Sequence, residues 1–491
     1  MRMSECATFA GARVGPDDPR YETLARGFNL RWVGRPAAIA LCGSAEQVRE
    51  TVQSAVDAGE RITVRSGGHC YEDFSAGNEG GVIVDLAAMS DVGFDESRGA
   101  WFVEAGATLW TVIWRLYKEY GRALPSGSCY SVGAGGHITG GGYGLLSRKH
   151  GLIVDWLDAV EIVRVDEGKK AEILIAERDG EASDLLWACQ GAGGGSFGIV
   201  TRFWFRRIPE APTQACLANL AWNWSDLDRD EFGRIVDRYG SFFADNSAPG
   251  SPYEGLFALL HLTHMQENKS GQIVLTAQYV GDEPNLLEEF LTHMTAYGVS
   301  PVAQTHPVGQ SHFPLRTTDT MCLPWLYATQ RLDPSGPNQR GKYKSAYMKK
   351  PFPQDQVDTM WRYLTDGFTN SQALLQVDSY GCAVNLHASD ATPVPQRSSI
   401  MKLQYQTYWT DEKDSPANLD WIRRFYHDMY GSAGPVPDEV MDGCYVNYPD
   451  VDLGDWQGLY YLGLYPRLQQ AKGRWDPHDI FNHAQSIALP D

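Results

Sequence analysis

The 491-residue sequence contains no run of eighteen or more apolar residues, which excludes a transmembrane helix. It also lacks a basic excess: 42 Lys and Arg face 61 Asp and Glu, a formal net charge of −19. Nucleic acid and anionic membrane surfaces both call for a basic stripe or patch, so neither is an expected partner. The first twenty residues, MRMSECATFAGARVGPDDPR, hold no continuous apolar stretch of the kind that heads a secretory signal. The expected location is therefore cytoplasmic. Cysteine is sparse and odd in number, nine in all: Cys6, Cys42, Cys70, Cys129, Cys189, Cys216, Cys322, Cys382 and Cys444. No CxxC pair or zinc-ligand spacing occurs, and each cysteine taken alone reads as a small buried hydrophobe. His261 and His264 form an HxxH, but without HExxH and inside an alternating, strand-like run, so no metal is expected. No GKS or GKT closes a glycine-rich stretch, which removes a nucleotide triphosphate loop.

What the chain does have is glycine, fifty in all, with a dense set in three clusters. These are Arg65-Ser66-Gly67-Gly68-His69, the stretch from Gly133 to Gly144, and Gly191 to Gly198. Glycine clusters persist where backbone turns with positive φ or must approach a ligand closely. Gly193 to Gly198 matches GxGxxG, yet a helix-like segment precedes it and a β-rich one follows. A Rossmann turn needs the opposite order, so that reading fails.

Around the first cluster, Ser44-Ala45-Glu46-Gln47 is a capping-box signature, Val48, Val52, Ala55 and Val56 form a helical stripe, and Gly59 stops it. Strands are expected at 61–64, 81–86 and 101–104, and a helix at 108–120. This makes an α+β unit whose loops can present bare N–H groups to a pyrophosphate. Beyond 209–213 the texture changes. Residues 225–246 carry Phe232, Ile235, Val236, Tyr239 and Phe243 on one helical face, and 286–297 is helical. Residues 256–265, 272–279, 374–384 and 402–409 read as strands, with a helix near 418–430. The expected organisation is a two-part domain at 1–210, a pocket-walling domain of antiparallel sheet and helices at 211–430, and a return to the first domain over 431–491.

The segments RSGGHCYEDFSAG (65–77) and PSGSCYSVGAGGHITGGGYGLLSRKHGLIVD (125–155) resemble the FAD-linked oxidases of the vanillyl-alcohol-oxidase superfamily. With YVNYPDVDL (445–453) and DIFNHAQSI (479–487), the resemblance narrows to the berberine-bridge-enzyme-like branch. Bacterial members from antibiotic biosynthesis, among them glycopeptide hexose oxidases and polyketide-alcohol oxidases, are nearest. The resemblance implies FAD bound covalently twice: His69 to the 8α carbon and Cys129, sixty positions on, to C6. A neutral imidazole and a thiolate suit an electron-poor ring. Cys70 follows the loop histidine and does not occupy the matching position.

By the same resemblance the flavin would be held by Arg65, Ser66, Gly67, Gly68, Gly135, Gly136, Gly141 and Gly142. His137, Tyr143, Val154, Asp155, Gly195, Phe197, Val200 and Asn447 would surround it. Val132, three after the cysteine, is a gatekeeper type associated with oxygen access, which favours oxidase over dehydrogenase. Tyr448 of the NYxD motif is the implied base, with Tyr445 and Tyr380 as further candidates and Asp378 as the carboxylate that accepts the phenolic proton. Cys382 replaces a family glycine next to Tyr380-Gly381. The implied partners are a small-molecule alcohol, sugar or natural product, and O2. Oxidative cyclisation and a flavin-carrying binding protein are the alternative functions.

Overall fold

A computed structural model describes residues 11–308 and 318–491; Cys6 lies outside them. Strands β1 (Ala12–Val14), β2 (Ala38–Leu41), β3 (Ile62–Arg65) and β4 (Val82–Asp85) form a sheet in the order β1-β2-β4-β3. In it β2, β4 and β3 run parallel, and β1 is antiparallel. Helix α1 (Ala45–Ala58) covers this sheet and buries Val48, Val52 and Ala55. Ser44 Oγ accepts the Gln47 N–H at 3.3 Å, while Gln47 Oε1 accepts that of Gly43 at 2.7 Å. Gly59, at φ 67°, ends the helix as a left-handed cap.

The second sheet is antiparallel: β5 (Val92–Asp95), β6 (Ala100–Glu104), β7 (Ala159–Val165), β8 (Ala171–Glu177) and β9 (Ile199–Phe205), in the order β5-β6-β9-β7-β8. The helix Ser183–Cys189 precedes the third glycine cluster and β9 follows it, the reverse of a dinucleotide turn.

The third sheet holds β10 (Gln214–Asn223), β11 (Leu256–Thr263), β12 (Gln272–Tyr279), β13 (Met321–Pro324), β14 (Arg340–Met348), β15 (Leu374–Ser379) and β16 (Met401–Trp409). Its order is β13-β10-β12-β11-β15-β16-β14, antiparallel throughout. Helix α2 (Arg229–Asn246) buries the apolar face read from its sequence, and Tyr239 Oη donates to the Ala258 carbonyl at 2.8 Å.

Three expectations need correction. The strand at 374–384 ends at Ser379, because Gly381 and Cys382 both take positive φ (91° and 54°) before a 3-10 turn. Cys382 thus holds a backbone conformation that a glycine adopts without steric cost. Cys216 and Cys322 are not separate buried hydrophobes. They stand opposite one another on β10 and β13 and form a disulfide. Strand β14 and the helices Gln354–Leu364 and Tyr465–Trp475 were not marked in the sequence. From the last of these, Lys472 Nζ donates to the carbonyls of Ser196 and Phe481, each at 2.8 Å, pinning the C-terminal segment to the third glycine cluster. Among the described residues no helix is long and apolar enough to cross a membrane.

Candidate active site

A cavity of about 460 Å³ lies where the three glycine clusters meet the inner face of the seven-stranded sheet. The first two clusters touch. A Cβ on Gly67 would sit 2.3 Å from the Gly133 nitrogen, so these loops cross only as bare backbone. Gly136 faces open space, with nothing within 4 Å of where its Cβ would stand. Ser66, Gly68, Gly135, His137, Gly195, Phe197, Val200 and Asn447 also line the cavity. Burial holds His137 neutral, down at about 4, and its Nε2 accepts the Gly127 N–H at 3.1 Å.

His69 and Cys129 lie one hydroxyl apart. Ser131 Oγ is 3.0 Å from His69 Nε2 and 3.7 Å from Cys129 Sγ. His69 stacks on Phe28 with ring centroids 4.2 Å apart, and burial lowers it to about 4, so its ring is neutral at pH 7. Burial pushes the Cys129 thiol up, and the hydroxyls of Ser335 and Ser131 pull it back. Neighbouring Cys70 is pushed up to about 11 by burial, a poor nucleophile by comparison. Val132 lines the cavity, and its carbonyl accepts the Leu109 N–H at 2.8 Å.

Strand register builds the opposite wall. Asp378 on β15 pairs with Lys402 on β16, and Lys402 in turn with Tyr347 on β14. Lys402 Nζ lies 2.5 Å from Asp378 Oδ2 and donates to Tyr448 Oη at 2.9 Å. It also sits 4.4, 5.0 and 5.5 Å from the ring centroids of Tyr448, Tyr143 and Tyr445. Lys402 therefore stands between the tyrosine and the carboxylate that the sequence reading joined directly. Burial, then the Asp378 charge, hold the Tyr448 phenol well above its ordinary range. Tyr445 Oη accepts from Asn447 Nδ2 at 3.0 Å.

Amides carry this wall further. Gln376 Nε2 donates to Asp378 Oδ1 at 2.7 Å, and Gln406 Nε2 to Gln376 Oε1 at 3.2 Å. Tyr71, stacked on Tyr343 at 3.6 Å, accepts from Gln404 Nε2 at 2.8 Å. Sequence reasoning missed Lys402, Gln376, Gln404, Gln406 and Tyr71. The signal available was alternation: Lys402, Gln404, Gln406 and Tyr408 share one face of β16.

Six residues expected at the cofactor or the substrate do not line the cavity. Arg65, at the end of β3, points to Asp85, its Nε 2.7 Å from Oδ2. Asp155 binds Arg397 through two bonds, at 2.8 and 3.0 Å. Gly141 and Gly142 use their carbonyls to accept the N–H groups of Val154 and Ile153, and Val154 is fully buried. Tyr380 packs behind the wall, 5.1 Å from the rings of both Tyr143 and Tyr347. Nor do His261 and His264 converge: His261 Nε2 meets Gln376 at 3.2 Å, whereas His264 Nε2 meets Asp366 at 3.0 Å.

A buried ion cluster, also unread in the sequence, fixes the two reactive loops. Lys342 Nζ lies 2.5 Å from Glu72 and 2.6 Å from Asp450; Lys344 Nζ lies 2.7 Å from Asp450. Glu72 closely follows His69, and Asp450 closely follows Tyr448, so β14 clamps both loops. Removing one partner of such a cluster leaves an uncompensated buried charge, costing about 3–5 kcal/mol.

The FAD binding domain family matches residues 36–173, and the berberine and berberine-like family matches residues 444–488. Aclacinomycin-N/aclacinomycin-A oxidase of Streptomyces galilaeus is 39% identical, over 99% of this chain and 91% of that protein. Hexose oxidase of Chondrus crispus is also 39% identical, over 96% and 93%. The chain belongs to the berberine-bridge-like FAD-linked oxidases. Among solved structures, CrmK, a flavoenzyme involved in shunt product recycling in caerulomycin biosynthesis, superposes with a TM-score of 0.92 at 39% identity, covering 98% of this chain and 100% of that one. The cavity of this berberine-bridge-like oxidase suits FAD: bare backbone at Gly136, crossing loops at Gly67 and Gly133, and a neutral imidazole beside a thiol.

Proposed function

We propose that this oxidase removes hydride from an alcohol carbon of a sugar or natural product, with FAD tethered at 8α by His69 and at C6 by Cys129. The line Asp378–Lys402–Tyr448, whose two ends line the cavity that His69 and Cys129 also line, carries the reading. With FAD bound, the chemistry supplied is two-electron: hydride acceptance at N5 and return of the electrons to O2 as H2O2. Tyr448 takes the proton of the substrate hydroxyl. Ionising a phenol of ordinary pKa, about 10, costs roughly 4 kcal/mol at pH 7, and the burial of Tyr448 raises that cost. A resting phenolate is therefore unfavourable. Lys402 lowers the barrier by giving a proton to Asp378 as it takes that of Tyr448 Oη, while the substrate proton arrives. The charge-assisted Nζ–H···Oη bond, about twice as strong as a neutral one, holds the tyrosine oxygen against the ammonium for this exchange.

The amides Gln376, Gln404 and Gln406 offer donors and acceptors together, as a hydroxylated substrate requires. The known activities of the two relatives, on hexoses and on aclacinomycins, support the same substrate class. This reading places the cofactor in 1–210 with 431–491 and the substrate in 211–430, in the cytoplasm, with O2 entering past Val132. A panel of sugars and glycosylated aromatic alcohols, mixed anaerobically with the holoenzyme, tests it. The expected result is bleaching of the flavin by at least one compound and H2O2 on admitting air. A panel that never bleaches it sinks the oxidase reading.

A further inference from the structure

We propose that Ser131 and Ser335 form one hydrogen-bond chain that readies both tethering side chains, His69 and Cys129, for attachment to the flavin. The inference rests on the double attachment proposed above. The chain is continuous: His69 Nε2 to Ser131 Oγ at 3.0 Å, Ser131 Oγ donating to Ser335 Oγ at 3.3 Å, and Ser335 Oγ to Cys129 Sγ at 3.3 Å. With Ser131 donating onward, its oxygen accepts from Nε2–H, and the Ser335 hydroxyl is left to donate to sulfur. The imidazole is thereby held as the Nε2–H tautomer, with the Nδ1 lone pair free of any hydrogen bond to a described residue. The sulfur receives a donor, which favours thiolate.

The serine from the substrate half is fixed there independently. Asp333 Oδ1 accepts the N–H of Ser335 at 2.9 Å and that of Tyr130 at 3.1 Å, tying the 333–335 loop to the cysteine turn. Ser335 Oγ also accepts the Ser131 N–H at 3.3 Å. Among the described residues no hydroxyl bonds Cys70, and burial holds it at about 11, so the chain also selects which of two nearby thiols attaches.

The covalent steps balance with O2 as oxidant. At His69 the Nε2–H bond and one C–H bond of the 8α methyl break, an Nδ1–C bond forms, and O2 takes two protons and two electrons as H2O2. At Cys129 the S–H and C6–H bonds break, an S–C6 bond forms, and a second O2 is reduced in the same way. Ser335 acts in the second step, because the thiolate is the attacking form.

The test uses purified holoenzyme, denatured, alkylated with iodoacetamide and digested, with the His69 and Cys129 peptides weighed for flavin. Wild type should carry flavin on both. In Ser335→Ala the His69 peptide should stay flavinylated, reporting a folded, loaded protein, while the flavin-linked share of Cys129 falls about tenfold, one pKa unit of thiolate. Ser335→Thr should restore it. Incubating Ser335→Ala in air at pH 9 should also restore it, because bulk base then forms the thiolate; a merely structural lesion would not respond. The groups facing Cys129 in that titration are Asp333, His69 and the phenols of Tyr71, Tyr343, Tyr408 and Tyr448. A Ser335→Ala protein doubly linked at the wild-type share overturns the inference and leaves the double attachment standing. A wild-type Cys129 peptide that alkylates in full overturns both.

Discussion

Asp378 and Lys402 face each other across the β15–β16 ladder, with Nζ 2.5 Å from Oδ2. Because antiparallel register fixes this pair, the ammonium is held against Tyr448 Oη, 2.9 Å away, without freedom to swing into the cavity. Lys402→Met alone leaves Asp378 buried and unpaired, at a cost of about 3–5 kcal/mol. The informative protein is Lys402→Met with Asp378→Asn. Its melting point should recover toward wild type while anaerobic flavin reduction stays slowed by about 10²-fold. Reduction at the wild-type rate in that double variant would remove Lys402 from the chemistry.

Tyr448→Phe deletes one oxygen and keeps the ring. Flavin reduction should slow by about 10² to 10⁴, beyond what a lost neutral hydrogen bond of about 1 kcal/mol explains. Tyr445→Phe, which gives up the bond from Asn447 Nδ2 but none to Lys402, should cost far less. Stopped-flow reduction separates the two. A collapse in Tyr445→Phe with Tyr448→Phe unaffected would move the base three residues upstream.

The glycine clusters, His69 and Cys129 were legible in the sequence because the signal is contiguous: each motif is one unbroken stretch of chain. Arg65, Gly141, Gly142, Val154 and Asp155 fall inside the same motifs, yet strand alternation or local bonding turns them from the cavity. Proximity in sequence does not say which way a side chain points. Lys402 and Ser335 were invisible for the opposite reason. Lys402 matters through its pairing with Asp378 on another strand, which its alternation along β16 does not disclose, and Ser335 through a loop anchored by Asp333. Tyr380 was misread because it lies two residues after Asp378 in the chain but behind Tyr143 in space.

Val132 lies beside the tethering cysteine and lines the cavity. Val132→Phe fills space on the expected oxygen path, so reoxidation of the reduced flavin should slow by about tenfold or more while reduction changes little. Equal slowing of both half-reactions would mean that Val132 only packs.

Acid should destabilise the fold through four partly buried histidines. His137, His150, His261 and His483 are each held down by burial at about 4, against 6.5 unfolded. The unfolded chain then binds more protons between these values, so stability is complete above about pH 6.5 and falls as pH drops toward 4. Urea midpoints measured from pH 7 to 4.5 should decline through that window. His150→Gln should flatten the decline by up to one proton's worth of slope. A midpoint constant across the window would refute the assignment.

The Cys216–Cys322 bridge closes a loop with a sequence separation of 106, and it ties the short edge strand β13 to β10. A cross-link over so long a loop removes much of the freedom of the unfolded chain, typically worth about 2–4 kcal/mol. The backbone ladder between the two strands survives reduction, so the folded structure should change little. Cys322→Ser should therefore lower the urea-extrapolated stability by about that amount, with flavin content unchanged, since neither sulfur touches the cavity. Thiol counting after denaturation offers an independent check: reductant should release two further thiols in wild type and none in the double variant Cys216→Ser, Cys322→Ser. The bridge also bears on compartment, because reducing cytosol opens accessible disulfides. Cys216 is buried, but Cys322 is exposed on its edge strand, which leaves the bond open to attack. If protein isolated from cells with thiols blocked at lysis carries both cysteines free, the bridge forms only after extraction and its stabilisation plays no part in the cell. If both are blocked from labelling until reductant is added, the chain resides where disulfides persist, and the cytoplasmic expectation falls.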